Sequence, residues 1–82
     1  MTNAADTIVF LLVDRRVVSH GDIALMEAVA QVHWADATEW DIAFTDANEE
    51  SERVLFESWV DADGQHIVLA HGAQGLAAAL TA

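Results

Sequence analysis

The sequence predicts an α+β domain with an antiparallel sheet, in the order β-α-β-β-β-α, one amphipathic helix lying on the sheet and a short helix at the C-terminus. Three observations predict it. The apolar run from Ile8 to Val13 is six residues long, too short for a helix and rich enough in β-branched side chains for a strand covered on both faces. Apolar residues recur at helical spacing through Leu25, Met26, Val29, Val32 and His33. After residue 40, two stretches alternate with period two and end in turn residues.

The first strand opens at Asp6 or Thr7, in TIVFLLVD. Ser19-His20-Gly21-Asp22 then offers two residues able to accept backbone N–H bonds at a helix start, and residues 22–35 read as that helix, with Glu27 and Gln31 opposite its apolar side. In WDIAFTD, residues 40–46, Trp40, Ile42 and Phe44 project one way while Asp41, Ala43 and Thr45 project the other, which reads as a half-buried strand. RVLFESWVD, residues 53–61, separates Val54, Phe56, Ser58 and Val60 from Leu55, Glu57, Trp59 and Asp61. Asp61-Ala62-Asp63-Gly64 is a hairpin turn with a glycine free to take positive φ, and QHIVLA, residues 65–70, is the returning strand. The alanine-rich AQGLAAALT, residues 73–81, is the closing helix, weakened by Gly75.

The 82 residues make one domain near the lower end of sizes that fold without staples, and the absence of cysteine removes disulfides and thiolate zinc sites. An apolar fraction of 54% with three tryptophans is too high for a disordered acidic tail. No apolar run approaches the roughly 20 residues that span a bilayer. The N-terminal MTNAAD has no basic region, so no secretory signal is expected and a cytoplasmic location follows by default.

Fourteen acidic residues stand against three basic ones, all arginine, for a net charge of -11. That balance repels nucleic acid and anionic membranes and steers cationic partners inward. The charge is regional, since ten acids and Arg53 between Asp36 and Asp63 carry -9 of it. Within that span DANEESER, residues 46–53, concentrates Asp46, Glu49, Glu50 and Glu52, and Glu57, Asp61 and Asp63 follow on the strand and its turn. Trp59 shares an alternation face with Glu57 and Asp61, the pattern of an aromatic anchor inside a charged rim. The alternatives are a Trp59 made core by the C-terminal helix, and an acidic surface that serves solubility or salt adaptation alone.

No catalytic signature occurs, whether G-x-S-x-G, a phosphate-binding loop or a dinucleotide fingerprint, so no enzyme activity and no cofactor are expected. His66 and His71 fall on opposite faces of a strand and His33 has no partner one turn on, so no metal is expected either. Asp61-Ala62-Asp63-Gly64 lacks the twelve-residue loop and closing glutamate of a calcium site. His33 is placed at the core edge with one ring nitrogen hydrogen-bonded, and His20 and His71 in loops.

In length, charge, the span DANEESERVLFESWVDADG and the lack of catalytic motifs, the chain resembles the small acidic inhibitors of phages and mobile elements, anti-CRISPR proteins and other DNA mimics among them. The resemblance implies an inhibitor that occupies the basic DNA-binding surface of an interference complex. Its expected contact residues are Asp46, Glu49, Glu50, Glu52, Glu57, Asp61 and Asp63, pairing with phosphate-holding Lys and Arg, with Trp59 as anchor. An antitoxin or immunity protein that plugs a nuclease cleft fits the same charge. So does a salt-adapted homodimer that buries Leu55 and Trp59 against its twin.

Overall fold

Strand β1, Val9–Val13, reverses through Asp14 and Arg15 into β2, Arg16–Gly21. In the computed structural model, which describes residues 8–44 and 53–81, these two turn residues have φ of 49° and 70°. Positive φ at both central positions gives the twist that suits a two-residue hairpin. Asp14 also extends the ladder to the neighbouring strand, exchanging bonds with the backbone of His66 at 2.8 and 3.0 Å. The hairpin adds a strand that the sequence reading lacks, because Asp14-Arg15 contains no glycine and Ser19-His20-Gly21 has the composition of a cap.

Helix α1, Ile23–Ala30, starts where Asp22 accepts a 2.8 Å bond from the Leu25 N–H. It gives way to a 3-10 turn, Gln31–His33, so it is shorter than its apolar period suggests. Its buried side is also rotated from the expected one: Met26 and Ala30 are fully covered, while Leu25 and Val29 are exposed and Val32 is 79% exposed. The two buried residues, Met26 and Ala30, are an i, i+4 pair on one side of the helix. Strands β3, Thr38–Phe44, β4, Val54–Val60, and β5, His66–His71, follow, and α2, Gly72–Thr81, closes the chain.

Among the described residues the sheet has five strands in the order β2-β1-β5-β4-β3, and every pairing is antiparallel. Alternation sorts its side chains into two buried clusters on opposite faces. One joins Val9, Leu11, Ile67, Leu69 and Trp59 with Met26 and Ala30 of α1. The other joins Leu12 and Ala70 with Ala79 of α2, flanked by Phe10, Phe56 and Leu76. Gly75 lets α2 approach β4 closely, since a Cβ there would collide with the backbone carbonyl of Leu55.

β3 is an edge strand, which changes the expected half-buried pattern. Trp40, Ile42 and Phe44 are 54%, 46% and 49% exposed. Among the described residues no helix is long and apolar enough to cross a membrane.

Candidate functional site

Of the acids singled out by the sequence, those among the described residues do not share one environment. Asp46, Glu49, Glu50 and Glu52 lie outside the described residues. Glu57 is half-buried on β4 and Asp63 is exposed in the β4–β5 turn.

Asp61 is buried and works inside the molecule, which corrects its expected place on a contact surface. Its Oδ1 accepts the backbone N–H groups of Asp63 and Gln65, both at 2.9 Å, and its Oδ2 lies 2.9 Å from His33 Nδ1. An aspartate at the first position of a turn satisfies the turn's own amides in this way. Burial pushes its pKa up, but the bonds from Gln65, His33 and Asp63, with the charge of His33, outweigh that and hold the carboxyl below its ordinary value. Gly64 takes φ of 80° and completes the hairpin as its sequence predicts.

Trp59 is likewise internal at 1% exposure, so it is no surface anchor, whether for a basic partner or for a second copy. The cluster that holds it draws on α1 rather than on the C-terminal helix. Its indole Nε1 donates to the His33 carbonyl at 2.9 Å, which satisfies the one polar atom its burial strands. His33 therefore meets β4 through its carbonyl, at Trp59, and the β4–β5 turn through its ring, at Asp61.

A different tryptophan reaches the surface. Between Thr38 and Asp41 the β3 register shifts, so that Glu39 and Trp40 together oppose Trp59, and Glu39 adopts φ of 56°. Such a bulge re-aims a side chain. Here it stacks Trp40 on Trp59, with ring centroids 4.6 Å apart and an interplanar angle of 23°. Trp34, 39% exposed, comes from the residue after the 3-10 turn.

Trp34, Trp40 and Trp59 line a cavity of about 290 Å³, floored by Leu69 and bordered by Glu27 of α1 and Glu57 of β4. Sequence reasoning missed Trp34, Trp40 and Glu27. Trp34 falls at the end of the helical pattern, and Trp40 shares the apolar side of a half-buried strand with Ile42 and Phe44, which reads as core. Trp40 is exposed along with Ile42 and Phe44 because β3 lies at the sheet edge, which alternation does not reveal, although three tryptophans between residues 34 and 59 are a signal of their own.

A second cavity of about 250 Å³ opens on the opposite face, between Asp41, Phe56 and Ser58 of the sheet and Ala79 and Leu80 of α2. Arg15 also lines it and donates to the Leu80 carbonyl at the end of α2, where a cation complements the helix dipole. Among the described residues no group of three or more His, Asp or Glu is placed to hold a metal ion. One buried polar side-chain atom among them, His71 Nε2, has no hydrogen-bond partner. No family model, no curated protein and no solved structure matches the chain.

Proposed function

We propose that this chain is a stoichiometric protein inhibitor that binds the basic, nucleic-acid-holding surface of a partner, in the manner of an anti-CRISPR protein acting on an interference complex. The observation that carries the reading is the charge, -11 overall with -9 of it between Asp36 and Asp63. Such a field draws in a Lys/Arg groove and turns away DNA, RNA and anionic membranes. Support also comes from the cavity beside β3, where exposed tryptophans stand among carboxylates, the composition of an interface core with a charged rim.

In this mechanism the protein does no chemistry and needs no cofactor. It works in the cytoplasm, where its target meets DNA, with an amphipathic helix packed on the sheet as stiff backing for the contact surface. Asp46, Glu49, Glu50 and Glu52 supply the long-range attraction, and Glu57 and Asp63 take the place of phosphates against Lys or Arg. Asp61 and Trp59 hold the β4–β5 turn and β4 in shape.

The test is charge reversal. Replacing Glu49, Glu50 and Glu52 together by lysine weakens binding to the target complex by roughly 2 to 5 kcal/mol if the pairs are desolvated, and by less than about 1 kcal/mol each at an exposed rim. Inhibition by the triple variant equal to that of the wild type removes these acids from the contact surface.

A further inference from the structure

The cavity beside β3 has the composition of a receptor for a cation. Trp34 and Trp40 present partly exposed indoles, Trp59 and Leu69 close the floor, and Glu27 and Glu57 place carboxylates on the border. Indole faces attract cations through the ring quadrupole, and a carboxylate nearby adds a full opposite charge. Among the described residues that line the cavity there is no arginine or lysine to answer those two carboxylates.

We infer that this cavity receives one arginine side chain of the basic partner, its guanidinium stacked against the exposed indoles of Trp34 and Trp40 and hydrogen-bonded to Glu57, with Glu27 adding a second negative charge at the border. Resting on the inhibitor reading, the inference specifies what the partner inserts. Arginine fits better than lysine because its guanidinium is planar, stacks on aromatic rings and forms a fork of N–H donors that matches a carboxylate. A compact ammonium offers no plane to stack and is more strongly hydrated. The volume, about 290 Å³, is at the small end of ligand pockets, suited to one side chain rather than to a folded element.

The positioning follows from the backbone. The bulge at Glu39 and Trp40 seats Trp40 on Trp59, and the Trp59 Nε1 bond to the His33 carbonyl ties that stack to the turn that ends one residue before Trp34. The two exposed indoles are thus mounted on opposite sides of one hydrogen bond. A ready-made pocket loses little entropy when it is filled.

The probe is a capped tripeptide amide, glycine-arginine-glycine, titrated into the full chain while the indole N–H resonances of Trp34 and Trp40 are followed by NMR. Controls carry lysine or neutral citrulline in place of arginine. Saturable shifts of both indole signals with arginine, weaker ones with lysine and none with citrulline are expected. Glu57→Gln should weaken the arginine peptide about threefold to fivefold, as expected for one partly exposed ion pair. Trp40→Ala should abolish its binding.

Equal shifts with citrulline or lysine, or an unchanged affinity in folded Glu57→Gln, would overturn the assignment. The two readings fail separately. A Trp40→Ala, Glu57→Gln double variant that still blocks its target as well as wild type sinks the arginine pocket and leaves the inhibitor. Arginine binding by a chain that blocks no nucleic-acid-binding complex sinks the inhibitor and leaves the pocket.

Discussion

Asp61 Oδ2 lies 2.9 Å from His33 Nδ1, and this contact joins the β4–β5 hairpin to the turn that follows α1. The same carboxylate closes the hairpin through two amides, and the same histidine residue accepts the Trp59 indole through its carbonyl. Two elements 28 residues apart in sequence are thereby held in one geometry. One acid of a protein that displays many is thus committed to the interior.

Asp61→Asn keeps the shape of the side chain and removes its charge, which weakens its three hydrogen bonds together. The melting temperature should fall by several degrees at neutral pH. Because the folded carboxyl titrates below its ordinary value, its stabilising effect is complete above about pH 4 and is lost as pH falls through the lower folded value. The difference between wild type and variant should therefore shrink as the pH is lowered below about 4. A difference that instead grows below that pH contradicts this role.

Trp59 and Trp40 form one stack but should differ in cost. Trp59→Ala empties a buried site and should destabilise by roughly 3 to 5 kcal/mol, whereas Trp40→Ala removes a half-exposed ring worth about 0.5 to 1.5 kcal/mol. Urea denaturation of the two variants measures both. Equal losses would mean that Trp40 is as much a core residue as Trp59.

Gly75→Ala tests the approach of α2 to β4. In an open helix the change gains up to about 1 kcal/mol, because alanine is the better helix former. Here the new Cβ meets the Leu55 carbonyl, a backbone atom that cannot swing aside, so the protein should lose about 1 to 3 kcal/mol. A stabilised Gly75→Ala, read by the same urea titration, would show that the helix sits further from the strand.

Most of this architecture is legible in the order of residues. The apolar run of β1, the alternation of β4 and the Asp61–Gly64 turn each carry a period or a turn residue with one physical meaning. β2 escapes because its hairpin is made by Asp14 and Arg15 in positive φ, a conformation that no glycine advertises there. The site was less readable for two reasons. Alternation places Glu57, Trp59 and Asp61 on one face but does not say how much of that face the chain covers, and it covers Trp59 and Asp61. A register shift at Glu39 and Trp40 then sets Trp40 against Trp59, and such shifts depend on the neighbouring strand rather than on local composition.

Blocking of a basic groove is tested most directly by the anisotropy of labelled target DNA held by a purified interference complex, as this protein is titrated in. Competition for the groove predicts that DNA binding is lost in saturable, stoichiometric fashion, with weaker inhibition as salt screens the charges. DNA affinity that stays unchanged in the presence of excess protein at low salt would contradict it.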